Sequence, residues 1–91
     1  MIYISPENDG PNIDCPRDIT RTLSEGMSDM AITWDEPIPV DNDGVKSLES
    51  DYTSGMRFPI GTMPVTYTAT DNLDNFSTCS FRVIIIGERV T

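Results

Sequence analysis

The chain has 91 residues, with 15 acidic and 6 basic side chains and a net charge of −9. That length makes one domain with a modest core, and the acidic balance disfavours nucleic acid and anionic membranes, whose affinity rests on Lys and Arg. There is no histidine, which removes the commonest general base and a common zinc ligand, and the longest apolar run, Val83–Ile86, is far short of the about 20 residues a membrane helix needs.

Met1 to Ile4 is apolar and ends at Ser5-Pro6, and the polar, turn-rich segment from Glu7 to Pro11 reads as a linker entering the domain. Ile13 and Cys15 alternate with polar residues and open the first strand, Pro16 breaks it, and Ile19 to Leu23 resumes it. Met30 to Trp34 reads as a strand with Met30, Ile32 and Trp34 on one face. Pro37 and Pro39 then stop the ladder, because proline has no N–H to donate. Asp41-Asn42-Asp43-Gly44 is a polar loop, and Val45 to Ser50 a weaker strand. After Gly55, Met56, Phe58 and Ile60 alternate. Val65, Tyr67 and Ala69 face one way and Thr66, Thr68 and Thr70 the other, which suits a strand with one buried and one solvated face. Asp71 to Asn75 is a tight loop, Cys79, Phe81, Val83 and Ile85 alternate along the last strand, and Gly87 to Thr91 reads as an exit linker. No segment carries a helical period. About seven short strands separated by turn signals predict an all-β, immunoglobulin-like (fibronectin-III-like) antiparallel sandwich over residues 11–86, flanked by linkers at 1–10 and 87–91.

An odd number of alternating strands makes the first and last run the same way. Cys15 and Cys79 then fall at the same pole, as a disulfide requires. Such a bridge would close most of the chain into one loop and contribute about 4 kcal/mol by the chain-entropy account. It also implies an oxidising, extracellular setting. Two unrelated buried thiols are the alternative. The same topology gathers Glu7, Asp9, Asp14, Asp35, Glu36, Asp41, Asp43, Asp71 and Asp74 at that pole, nine of the fifteen acidic residues.

Several motifs taken together resemble the hyalin repeat (HYR) family. They are Pro11-Asn12-Ile13-Asp14-Cys15-Pro16, Ile32-Thr33-Trp34-Asp35-Glu36-Pro37, Asp41-Asn42-Asp43-Gly44, Phe58-Pro59-Ile60-Gly61-Thr62, Val65 to Asp71, and Cys79-Ser80-Phe81. The resemblance covers about residues 11–86. It implies an extracellular adhesion and matrix module with no enzymatic activity, and it supports pairing Cys15 with Cys79. One position departs from the family pattern: Asp74 stands where a glycine is usual in the last hairpin. Aspartate tolerates the left-handed backbone conformation better than most residues.

Asp41, Asp43, Asp71 and Asp74 are the candidate calcium ligands, helped by Glu7 or Asp9, since calcium takes six to eight oxygens. Their alternative role is ordinary turn chemistry. Asn75-Phe76-Ser77 is a glycosylation sequon on an exposed hairpin. Trp34, Tyr67 and Phe81 read as core anchors, Met30, Met56 and Met63 as core or near-core filler, and Tyr52 and Phe76 as exposed contact aromatics. The expected function is non-catalytic, through protein contacts with extracellular partners or neighbouring modules. The alternatives are a calcium-stiffened spacer and an accessory carbohydrate-binding domain beside an enzyme. No other cofactor is expected.

Overall fold

The computed structural model describes residues 10–87. Nearly all of the proposed linkers, together with Glu7 and Asp9, lies outside the described residues. Six strands form in chain order: β1 (Ile19–Leu23), β2 (Asp29–Ala31), β3 (Val45–Ser50), β4 (Arg57–Pro59), β5 (Gly61–Asp71) and β6 (Phe76–Gly87). They make a four-stranded sheet in the order β1-β6-β5-β3 and a two-stranded sheet of β2 and β4. The fold is all-β and immunoglobulin-like, as the turn and alternation pattern predicts.

The count of seven is corrected to six. The segment around Ile13 and Cys15 makes no ladder, only one antiparallel bridge: Asn12 N–H donates to Val40 O at 2.7 Å and Val40 N–H to Asn12 O at 3.0 Å. Pro11 and Pro16 on one side and Pro37 and Pro39 on the other remove the donors that would extend it. The parity argument nevertheless reaches the right geometry, because β1 and β6 are parallel neighbours, with Ile19 opposite Val83. Both β3 and β6 run antiparallel to β5. One of the two connections along β3–β4–β5 therefore does not reverse the chain, which restores the parity that a seventh strand would have supplied.

The core follows from period-2 alternation on the two long strands. Val65, Tyr67 and Ala69 of β5 and Phe81, Val83 and Ile85 of β6 are buried, joined by Leu23, Ile32 and Phe58 from the other elements. Trp34 is half-buried and packs edge-on to Phe81, with ring centroids 5.2 Å apart, and against Phe58 at 6.1 Å. Two expectations fail around β4. Met56 and Ile60 are exposed while Phe58 is buried, because β4 is only three residues long and turns flank it, with Gly61 at φ +134°. Tyr52 is no exposed contact aromatic; it is half-buried against Phe58 at 5.4 Å.

Cys15 and Cys79 form a disulfide, with Cα atoms 5.6 Å apart and a sequence separation of 64. Cys79 sits on β6 directly opposite Tyr67. The bridge therefore ties the chain ahead of β1 to the middle of the largest sheet.

Candidate functional site

The ladder between β3 and β5 places Val45 opposite Asp71. It thereby brings the Asp41–Gly44 turn against the β5–β6 turn, and Asn72 bonds the two together through its backbone and its side chain. Asn72 donates its N–H to Gly44 O at 3.1 Å and its side-chain amide to Asp43 O at 2.7 Å. Gly44 has φ +87°, a left-handed conformation that favours glycine, and a Cβ there would displace the Asn72 side-chain amide. Asp41 Oδ2 accepts the Asp43 N–H at 2.8 Å, an Asx turn of the kind short polar side chains favour.

Asp71 has no solvent exposure. Its Oδ1 accepts the N–H groups of Leu73 at 2.9 Å and Asn75 at 2.8 Å, which organises the hairpin turn from within. One carboxylate oxygen from each of Asp41, Asp43 and Asp71 lies within 4.8 Å of the other two. Asp74 is not in this group. It takes the left-handed conformation at φ +68°, and its carboxylate bonds Lys46 Nζ at 2.6 Å. That partner raises the Lys46 ammonium above its usual range. The sequon residue Asn75 is half-buried, its Nδ2 lying 3.5 Å from Asp71 Oδ2. Phe76 beside it is 64% exposed, among the most open large apolar side chains of the described residues.

A second polar group lies deeper. Trp34 Nε1 donates to Tyr67 Oη at 2.7 Å, and that hydroxyl donates to Glu36 Oε2 at 3.2 Å. Burial, opposed by the Trp34 bond and seconded by the Glu36 charge, moves the Tyr67 phenol up from its usual value. The sequence reading anticipates Trp34 and Tyr67 as anchors but misses this bond between them. It also misses the burial of Asp71. The signal for that was present in Asp71-Asn72-Leu73-Asp74-Asn75, a segment whose first side chain can cap the turn that follows.

The model for the HYR domain matches residues 6–85. The chain is 36% identical over 81 residues to the mouse "Sushi, von Willebrand factor type A, EGF and pentraxin domain-containing protein 1", covering 86% of this chain and 2% of that protein. It is 36% identical over 62 residues to hyalin of Strongylocentrotus purpuratus, covering 67% of this chain and 5% of hyalin, and 35% identical over 69 residues to hyalin of Lytechinus variegatus, covering 75% and 13%. The chain thus spans a small fraction of each curated relative. No solved structure gives a significant match. With its two-sheet fold, its Cys15–Cys79 bridge and a match over most of its length, this chain belongs to the HYR domain family of extracellular modules.

Proposed function

We propose that the domain is a non-catalytic contact module, acting through protein–protein contacts as one unit of a longer multidomain extracellular protein. The observation that carries this reading is proportion: 86% of this chain matches 2% of a relative whose own name lists several other module types. Residues 11–86 are the folded unit in this reading, and the flanking segments connect it to its neighbours. Its test is adhesion. Beads coated with the oxidised domain should bind beads coated with itself or with extracellular matrix proteins. Domain reduced and alkylated before coating should not. Equal adhesion by both preparations would remove the reading.

A second reading, a calcium-stiffened junction, is favoured by the meeting of Asp41, Asp43 and Asp71 at one pole. Those carboxylates supply oxygen of the kind calcium prefers, and the loop carbonyls beside them could add to the set. Amide NMR during a calcium titration decides it. Saturable shifts confined to Asp41–Gly44 and Asp71–Asn75 support the site, and no shifts at millimolar calcium end it. Glycosylation of Asn75 belongs with these proposals, and mass spectrometry of material secreted from eukaryotic cells reads it directly.

A further inference from the structure

The four-stranded sheet ends at β3, whose outer edge has no strand partner among the described residues. Just past its end, Asp51 N–H donates to Thr66 O at 3.3 Å. Hydrogen-bonded pairs alternate along an antiparallel ladder. With Glu49 opposite Thr68 and Ser47 opposite Thr70, these residues also turn their peptide groups toward β5. Leu48 and Ser50 therefore turn their N–H and C=O groups outward, to the open edge. Native sheets protect such edges with bulges, lysines and other charges. The first half of β3 is protected in this way, because a bulge lies between Val45 and Ser47 and Lys46 stands within it, paired to Asp74.

The second half is different. Glu49 and Asp51, two apart and so on one face of the strand, flank Ser50, and with Thr66 and Thr68 of β5 they line an open depression of 380 Å³. No cationic side chain among the described residues lines it. Asp51 Oδ1 accepts the Thr66 N–H at 2.8 Å, and Glu49 points into solvent. A second copy suits this edge poorly, since an edge-to-edge pair would bring like carboxylates together between molecules of net charge −9. We propose that the Leu48–Ser50 edge of β3 accepts an added strand, an extended protein segment carrying Lys or Arg at alternate positions. Main-chain bonds to Leu48 and Ser50 hold the added strand, and its cations enter the depression beside Glu49, Asp51 and the two threonine hydroxyls. Backbone pairing supplies the binding and charge supplies the choice of partner.

The inference rests on the reading of this domain as a protein-contact module, and names the chemistry of one contact. Its test is a titration of the isotopically labelled, oxidised domain with a short synthetic peptide of alternating lysine and valine. The expected result is saturable amide shifts confined to Ser47–Asp51 and Thr66–Thr68, with exchange of the Leu48 and Ser50 amides slowed by about tenfold or more. Methylating the peptide's edge-facing amides should abolish binding. Glu49→Lys should weaken it by about tenfold while leaving the rest of the amide spectrum in place. The proposal is overturned if the methylated peptide binds equally well, if Glu49→Lys changes nothing, if the shifts centre on the Asp41–Asp43–Asp71 pole, or if none appear at millimolar peptide. Adhesion that survives in the bead assay while the peptide fails would remove the edge alone. Loss of both would remove the contact-module reading as well.

Discussion

Asp71 holds its carboxylate where solvent cannot reach it, and two backbone N–H groups supply what water would have given. Removing that acceptor leaves the amides of Leu73 and Asn75 stranded in a half-buried turn. Asp71→Ala should therefore cost about 2–3 kcal/mol, and Asp71→Asn, which keeps one acceptor oxygen, distinctly less. Urea denaturation of the oxidised domain checks both, and equal midpoints for wild type and Asp71→Ala would refute the capping role. Tyr67 works by the same logic in the core, since its hydroxyl receives the indole N–H of Trp34. Tyr67→Phe keeps the packing and orphans that donor, for an expected loss of about 1–2 kcal/mol. Its phenol titrates above the ordinary value because burial disfavours the charged form. A group whose folded value is raised contributes stability that is complete below its unfolded value near 10 and is lost as pH rises through the folded one. Alkaline unfolding should accordingly begin at higher pH in Tyr67→Phe than its lower neutral stability alone predicts, as absorbance-monitored pH melts would show.

At the scale of elements, β1 is an edge strand of the larger sheet that needs outside help. It is five residues long, pairs among the described residues only with β6, and buries fully only Leu23. Two links fasten the chain ahead of it. One is the disulfide from Cys15 to Cys79, and the other is Asp18, whose carboxylate accepts the Arg82 N–H at 2.8 Å and pairs with its guanidinium at 2.9 Å. Reducing the disulfide frees a closed loop of about 64 residues, so stability should fall by about 4 kcal/mol. A Cys15→Ala/Cys79→Ala variant should show the same loss in denaturant melts, with hydrogen exchange of β1 amides rising first. The Arg82 backbone bond, then its side chain, hold the Asp18 carboxyl below its usual 3.8. That contribution is present above the unfolded value and disappears as pH falls through the lower, folded one. Asp18→Asn should therefore flatten the acid limb of the stability profile below about pH 4. The sequence made β5 and β6 legible because each has one buried and one wet face, which period 2 reports directly. It overextended β2, whose regular ladder stops at Ala31. Beyond it Ile32 bonds Met56 and Gly55 in an irregular turn, and Trp34 N–H goes to the Ser54 hydroxyl, contacts that no local pattern announces. Loop order made the meeting of Asp41, Asp43 and Asp71 legible, whereas the pairing of Asp74 with Lys46 had no local signal.

For the whole molecule the governing quantity is charge. Fifteen carboxylates face six cations, and the three ion pairs among the described residues are all solvent-exposed, where each is worth little. Self-repulsion therefore weighs against the compact state, and monovalent salt should stabilise the domain as the screening length shrinks to about 10 Å near 0.1 M. Sodium, magnesium and calcium chlorides compared at equal ionic strength separate that general effect from a site. If the acidic pole only solvates the surface, the three salts raise the melting temperature together, apart from a small valence effect that Asp41→Asn barely alters. If Asp41, Asp43 and Asp71 hold calcium, calcium alone gives an excess that saturates with concentration, as linkage requires of a ligand bound only by the folded state. Asp41→Asn then removes the excess and leaves the sodium response unchanged. Glu49→Gln, distant from that pole on the β3 edge, should raise stability slightly at low salt and leave any calcium excess intact, which makes it the control for charge without coordination.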